Sequence, residues 1–182
     1  MIKQVLFIEG GGNGGFEADE KLAASLQQSL GKAYSVIYPE FKTDEAAPDY
    51  GWLSQIGNKI NEANEPLILA GHSFGASMIL KYLSENNITK KLEGIFLIST
   101  PFWSGSEDWK QGFILKENFA EKLPANIPLF FYHSQDDEEV PIDQLSQYAH
   151  HLPRATIRTI PVGGHQFNND LSMVATDIKA LG

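Results

Sequence analysis

A pentapeptide with the pattern Gly-x-Ser-x-Gly spans residues 71–75 and centres on Ser73. It directly follows an apolar run, residues 67–70, that has the composition of a buried strand, and a helical pattern comes after it. A sharp turn between strand and helix holds a serine in a strained conformation with its hydroxyl exposed, while the flanking glycines avoid clashes. The pattern therefore predicts that Ser73 is a nucleophile, the alternative being a tight turn with an incidental serine.

A serine nucleophile needs a general base, and His165 is the best placed of five histidines. It follows a strand-like run, residues 155–160, and a Pro-Val-Gly-Gly turn, so it lies beyond the carboxyl end of a strand. This turn motif usually has the chain order serine, acid, histidine. Two histidines precede the acidic segment and two end a helical segment: His72, His133, His150 and His151. We therefore predict that His165 is the base, the alternative being a structural histidine on a surface loop.

The acid that would orient this histidine is expected after the preceding strand, residues 127–133. Four consecutive carboxylates occur there: Asp136, Asp137, Glu138 and Glu139. A charge run of this kind is commonly a solvated turn, but one of these acids could hold the imidazole in the correct tautomer. The residues alone leave the choice between Asp136 and Asp137 open.

A glycine-rich loop, residues 10–15, follows the first strand and supports two interpretations. As an oxyanion loop, it would supply one backbone N–H from Gly11 or Gly12, paired with the N–H of Phe74 after the nucleophile. Small residues in this loop would also let a substrate approach closely.

The alternative is a dinucleotide site. Gly10, Gly12 and Gly15 satisfy the Gly-x-Gly-x-x-Gly fingerprint between a strand and a helix, and Glu40 lies beyond the second strand. So glycine-rich a loop fits this fingerprint almost regardless of its function. Glu40 also lies further along the sequence than a ribose-binding acid usually does. This NAD-binding interpretation also leaves Ser73 and His165 without a role.

The elements that must position these residues alternate along the chain. Six short apolar runs predict strands: 5–8, 34–38, 67–70, 95–99, 127–133 and 155–160. Helical spacing occupies the segments between them, with Leu22, Leu26 and Leu30 on one face of the first. This order predicts an α/β fold, a three-layer sandwich in which helices cover both faces of a six-stranded parallel sheet.

One long connection, at about residues 100–126, interrupts this alternation. Its first half is rich in aromatic residues, including Phe102, Trp103 and Trp109, and we expect a helix around residues 117–122. The segment could pack on the sheet edge or form a short cap over a substrate pocket. In the second case we expect Phe102, Trp103 and Trp109 to contact the substrate, together with His72 beside the nucleophile.

Composition places the chain among ordinary folded proteins. Its 182 residues, 42% hydrophobic and 20% charged, suffice for one domain, residues 1–182, with a substantial core. A net charge of −9 argues against a nucleic-acid partner, because phosphate binding needs clustered lysine and arginine. There is no cysteine, which excludes disulfides, thiolate metal sites and a cysteine nucleophile. We expect a small-molecule substrate, with neither a cofactor nor a metal.

Hydropathy gives no sign of a membrane segment. The apolar run near the N-terminus is too short for the core of a signal sequence, and no run approaches the roughly 18 residues that span a bilayer. We therefore expect a cytoplasmic protein without membrane insertion; the oligomeric state stays open.

Taken together, these motifs resemble those of the α/β-hydrolase superfamily, especially its compact serine hydrolases of the retinoblastoma-binding-protein-9-like and YdeN-like group. The elbow at residues 71–75, the segment Asp137-Glu138-Glu139-Val140-Pro141 and the turn Gly163-Gly164-His165 are similar to the three motifs of that group, in the same order. The second motif consists of an aspartate, two variable residues, a valine and a proline. Asp137 fits this spacing and Asp136 does not, which is why Asp137 is preferred.

The resemblance implies a minimal α/β-hydrolase fold with strand order 2-1-3-4-5-6 and little or no cap domain. It implies a Ser73-His165-Asp137 triad that hydrolyses small esters through an acyl-enzyme. A non-catalytic binding module on the same fold is the alternative, because a fold does not determine a function. The chain departs from the group at Glu9-Gly10, where many members have His-Gly, and this places a carboxylate near the site.

Overall fold

The computed structural model describes residues 2–12 and 14–182, in which six strands form one sheet. The strands are β1 (Lys3–Ile8), β2 (Tyr34–Ile37), β3 (Leu67–His72), β4 (Leu92–Ile98), β5 (Leu129–Ser134) and β6 (Thr156–Ile160). The α-helices are α1 (Gly15–Leu30), α2 (Trp52–Glu62), α3 (Ser73–Glu85), α4 (Phe119–Lys122), α5 (Asp143–His151) and α6 (Ser172–Lys179).

The sheet has the order β2-β1-β3-β4-β5-β6, and every neighbouring pair is parallel. This confirms the predicted α/β class and strand order. The central strand β3 is buried along its whole length and extends to His72, two residues beyond the predicted end. A continuous apolar run is what a strand covered on both faces requires.

Two hydrophobic cores lie on opposite faces of the sheet. Alternate side chains of β1 divide between them: Leu6 and Ile8 pack with α2, α3 and α5, and Val5 and Phe7 pack with α1 and α6. The predicted apolar face of α1, formed by Leu22, Leu26 and Leu30, is fully buried in the second core. The result is the three-layer arrangement that the sequence pattern predicts.

The connection at residues 100–126 contains less helix than expected. A single 3₁₀ turn covers Asp108–Lys110, and α4 is one turn long instead of extending over residues 117–122. Its Phe119 is buried, whereas Leu123 is already extended and precedes a proline. A residue before proline disfavours helical backbone, so the helix ends there.

No helix within the described part of the chain is long and apolar enough to cross a membrane.

Candidate active site

Ser73 lies at the junction of β3 and α3 in a strained backbone conformation. Its φ is 48°, in the left-handed region that non-glycine residues rarely adopt. A Cβ atom at Gly71 would lie 2.7 Å from the Ile79 side chain, and one at Gly75 would lie 2.1 Å from the Glu9 carbonyl oxygen. Both positions therefore need glycine, which confirms the predicted reason for the motif's spacing.

His165 and Asp137 are brought together beyond the ends of β6 and β5. The imidazole Nδ1 lies 3.0 Å from each carboxylate oxygen of Asp137. Because a carboxylate can only accept, Nδ1 carries the proton and Nε2 is left as the basic nitrogen. This is the orientation that a histidine needs to act as a general base.

The Asp137 carboxylate is held in its ionised form. Its side chain is buried, which opposes ionisation, but hydrogen bonds from His165 and from the N–H groups of Val140 and Glu139 outweigh this cost. Together they lower the pKa of Asp137 to about 2. A permanent negative charge therefore faces the imidazole throughout the neutral pH range.

Asp136, the other candidate acid, has a different position. Its Oδ1 accepts hydrogen bonds from the Ser134 hydroxyl and from the N–H groups of Gly163, at 2.9 Å, and Gly164, at 2.8 Å. These bonds lower the pKa of Asp136 and attach the histidine loop to the end of β5. Asp136 thus supports the loop, while Asp137 contacts the imidazole.

Ser73 and His165 both line a cavity of about 1210 Å³ at the carboxyl edge of the sheet. Phe102, Trp103 and Trp109 line it too, where we expected substrate contacts, and so do Gly11, Gly12 and Phe74. Phe113, at the end of the same aromatic segment, also lines the cavity, and Tyr50, which sequence reasoning missed, completes this aromatic wall. Tyr50 could have been suspected, since it lies in the connection that follows the carboxyl end of β2.

His72 does not lie where we expected it. It is 1% exposed, and its Nδ1 lies 2.8 Å from Asp19 Oδ2 while its Nε2 lies 3.0 Å from the carbonyl oxygen of His165. Because His72 belongs to the end of β3, its ring points into the protein beneath the site. The expectation that His72 contacts the substrate is therefore wrong.

The aromatic wall is fixed to the body of the protein. The Trp103 indole donates to the Ser77 hydroxyl on α3 at 2.9 Å, and Lys81 donates to the Ile114 carbonyl at 2.8 Å. A Cβ atom at Gly112 would lie 1.6 Å from the carbonyl oxygen of Pro48, which also lines the cavity. These contacts place the connection at residues 100–126 over α3 and the cavity. This position favours a short cap over packing on the sheet edge.

The glycine loop passes directly beside the residue after the nucleophile. A Cβ atom at Gly11 would lie 2.8 Å from the Phe74 ring, so the backbone of the loop and the start of α3 approach closely. The N–H of Gly10 already donates to Asp19 at 2.6 Å. Of the residues that the structure describes in this loop, Gly11 and Gly12 line the cavity, so they remain the predicted partners of the Phe74 N–H.

The strand order contradicts the dinucleotide interpretation of this loop. A dinucleotide-binding Rossmann sheet has the order 3-2-1-4-5-6, with β1 beside β4. Here β1 lies between β2 and β3. Glu40 is exposed and lies outside the cavity-lining set, and the glycines instead serve close backbone packing, as at Gly15, where a Cβ atom would lie 2.2 Å from the Gly10 carbonyl oxygen.

Glu9 is buried beneath the loop, only 3% exposed, and does not line the cavity. Its Oε1 accepts a hydrogen bond of 2.5 Å from the N–H of Phe41. Burial raises the pKa of Glu9 to about 7; the N–H of Phe41 opposes the rise, and the charge of Asp19 adds to it. The carboxyl group is therefore protonated in mildly acidic solution and ionises near neutral pH.

Replacing Glu9 with glutamine should remove a pH-dependent loss of stability. The pKa of Glu9 is 4.5 in the unfolded chain and about 7 in the folded protein. Its contribution to stability is thus complete below pH 4.5 and is lost as pH rises through 7. The difference in free energy of unfolding between Glu9→Gln and the wild type should therefore grow in favour of the variant, by up to about 3 kcal/mol, between pH 5 and pH 8.5.

Urea unfolding of both proteins at pH 5 and pH 8.5 would measure this difference. Glu121→Gln, a change of the same kind at an exposed residue of α4, is the control and should leave the pH dependence unchanged. Parallel stability profiles for the wild type and Glu9→Gln would contradict the assignment.

Comparison with solved structures supports the fold. The ydeN gene product of B. subtilis has a TM-score of 0.67 at 20% identity, with 98% of each chain covered. Arabidopsis thaliana SOBER1 has a TM-score of 0.70 at 17% identity, covering 100% of this chain and 99% of that one. Est1E from Butyrivibrio proteoclasticus has a TM-score of 0.68 at 17% identity, with coverages of 98% and 86%.

No curated protein is similar enough in sequence to count as a relative. The profile of the serine hydrolase family, however, matches residues 18–171. This stretch contains the elbow, the candidate acid and the candidate base, and it is well over half of the chain. The protein therefore belongs to the serine hydrolase family.

Proposed function

We propose that this serine hydrolase is of the carboxylesterase type and cleaves small esters with Ser73, His165 and Asp137. The observation that carries the proposal is the pair of 3.0 Å contacts between His165 Nδ1 and the Asp137 carboxylate, in a cavity that Ser73 also lines. The proposed triad requires, in addition, that the Ser73 hydroxyl donate a hydrogen bond to His165 Nε2 during the reaction.

In the proposed mechanism, His165 Nε2 takes the Ser73 proton as the hydroxyl oxygen attacks the ester carbonyl. The resulting oxyanion accepts hydrogen bonds from the Phe74 N–H and from Gly11 or Gly12. His165 then protonates the departing alcohol, which leaves an acyl group on Ser73. A water molecule, deprotonated by the same imidazole, releases the acid and regenerates the serine. Side chains of this protein thus carry every proton transfer, without a metal or a cofactor.

The aromatic part of the cavity lining supports a substrate that contains an aromatic group. This part of the lining is formed by aromatic side chains, which bury wide apolar area at low entropic cost. The net charge of −9 also disfavours nucleic acid as the substrate. We therefore propose short-chain aryl esters, with no activation at an oil–water interface.

A fluorophosphonate probe tests the nucleophile directly. The probe should label the folded protein, and tandem mass spectrometry should locate the label on Ser73. Ser104 lines the same cavity and serves as the internal comparison, while heat-denatured protein controls for nonspecific labelling. A folded protein that takes up no label and hydrolyses no ester would favour the binding-module alternative.

Trp103→Ala should lower kcat/KM for p-nitrophenyl butyrate on the order of tenfold, equivalent to about 1.4 kcal/mol of lost packing. The indole ring packs against Phe74 and Phe113 at centroid distances of 6.1 and 5.3 Å, in the wall that we propose contacts the substrate. Trp103→Phe keeps an aromatic ring in the wall but loses the hydrogen bond to Ser77, so it should lower kcat/KM less than Trp103→Ala does.

These variants should be compared by steady-state kinetics on acetate, butyrate and octanoate esters, with melting temperatures measured in parallel. A lower melting temperature with unchanged kinetics would mean that Trp103 only stabilises the fold. A profile that rises toward octanoate would contradict the proposed preference for short acyl chains and leave the triad unaffected.

A further inference from the structure

A second aspartate–histidine pair, Asp19 and His72, lies beneath the site and has no part in the mechanism above. Both residues are 1% exposed, and Asp19 Oδ2 lies 2.8 Å from His72 Nδ1. They belong to different elements, since Asp19 is on α1 and His72 ends β3 directly before Ser73. A buried ionisable pair is costly unless its hydrogen bonds are satisfied, so its other contacts show what it holds together.

Both ring nitrogens of His72 face groups that can only accept. Nδ1 faces the Asp19 carboxylate and Nε2 lies 3.0 Å from the His165 carbonyl oxygen. Contacts with His72 and the Gly10 N–H outweigh burial and lower the pKa of Asp19, so this carboxyl is the anion. Each of these contacts is a hydrogen bond only when the ring nitrogen that faces it carries a hydrogen.

The pair joins three segments that carry candidate catalytic groups. Asp19 Oδ2 also accepts the Gly10 N–H at 2.6 Å, at the start of the glycine loop. The His165 carbonyl accepts a second hydrogen bond, of 3.1 Å, from the Ser99 hydroxyl. The elbow, the glycine loop and the loop that carries His165 are thus connected through the Asp19 carboxylate, the His72 ring and the His165 carbonyl.

We propose that Asp19 and His72 are positioning residues for the hydrolytic reaction. Asp19 holds the His72 ring at Nδ1, and the Nε2–H of His72, with the Ser99 hydroxyl, anchors the backbone carbonyl of His165. Asp137 orients the imidazole from one side, whereas this pair fixes the main chain that carries it. The kinetic part of the inference rests on the proposed function, but the anchoring of the loop does not.

Two isosteric variants separate anchoring from general stabilisation. The amide nitrogen of glutamine reaches the position of histidine Nε2, so His72→Gln keeps a donor for the His165 carbonyl and loses the bond to Asp19. Asparagine reaches the position of Nδ1, so His72→Asn keeps the bond to Asp19 and loses the anchor. Ser99→Ala removes the second donor to the His165 carbonyl and leaves the contact between Asp19 and His72 intact. It keeps the proposal testable if the His72 variants do not fold.

We expect His72→Asn to lower kcat for p-nitrophenyl acetate about 10- to 100-fold, with KM within about twofold, because a displaced base slows chemistry more than binding. His72→Gln should stay within about fivefold of the wild type, and Ser99→Ala should lie between the two. A purely structural role predicts the reverse order for the two His72 variants, since His72→Asn retains the contact with Asp19.

Hydrogen exchange of the peptide covering residues 161–169 provides a readout that needs no activity. Exchange there should be about tenfold faster in His72→Asn than in the wild type, and close to wild type in His72→Gln. Equal exchange in both variants would overturn the proposal, whatever the kinetics. Faster exchange confined to His72→Asn, in a protein that hydrolyses no ester, would leave the anchor in place and contradict the proposed function instead.

Discussion

Ser73→Ala is expected to lower kcat for p-nitrophenyl acetate by on the order of 10⁴-fold or more. Without the hydroxyl, no acyl-enzyme can form, and the remaining rate comes from water near His165 and the backbone donors. Alanine tolerates the φ of 48° about as well as serine does, so the fold should persist. Steady-state kinetics with circular dichroism of the same sample would measure both.

Ser104→Ala is the matched control, because Ser104 lines the same cavity and undergoes the same substitution. It should retain activity within about threefold, as expected for a surface position away from the chemistry. Comparable rates for Ser73→Ala and Ser104→Ala would show that Ser73 is not the nucleophile.

Asp137→Asn is expected to lower kcat about 10³- to 10⁴-fold. An amide NH₂ facing His165 Nδ1 would draw the ring proton to Nε2, so the nitrogen that faces the serine could no longer accept a proton. The amide oxygen could still accept from the N–H groups of Glu139 and Val140, so the turn itself should survive. Stopped-flow measurement of acylation would show whether the loss falls on the first proton transfer.

The same substitution one residue earlier provides the comparison. Asp136 accepts its hydrogen bonds through Oδ1, and the amide oxygen of an asparagine could accept them as well. Asp136→Asn should therefore lower kcat by less than about tenfold. A larger loss in Asp136→Asn than in Asp137→Asn would reverse the assignment of the acid.

Residues of the elbow could be predicted from sequence because their physical requirements are local. The spacing of Gly71 and Gly75 around Ser73 expresses steric contacts within one strand–turn–helix unit, and it needs no knowledge of distant parts of the chain. The apolar runs similarly predict the strands, because burial on both faces leaves a continuous signal. The order of the strands, by contrast, came from the resemblance.

Residues that act across the fold were harder to find. Asp19 contacts His72 from 53 positions away, and this contact depends on how α1 packs against the sheet. A signal was present, since Asp19 precedes Leu22 by three residues and so extends the buried face of α1. An aspartate on an apolar stripe is costly unless it has a partner, and such a position is worth examining in any sequence.

His72 was misassigned for a related reason. Its place beside the nucleophile suggested contact with a substrate, but alternate side chains of a strand point to opposite faces. Only the exact end of β3, two residues beyond the apolar run, decides where this ring points. Boundaries of elements are where sequence patterns are weakest, so side chains at those boundaries are the least predictable part of the site.

The backbone at Gly112 packs closely against the Pro48 carbonyl, so the two connections that line the cavity, at residues 43–50 and 101–113, are in contact. The connection that carries Trp103 is also bonded to α3, through the Trp103 indole to Ser77 and through the Ile114 carbonyl to Lys81, so both connections are held in place. The cavity is therefore preorganised, and a ligand that fits would bind without first having to order its receptor. Affinity should then depend steeply on ligand shape, because a rigid wall cannot adjust to a poor fit as a flexible loop does.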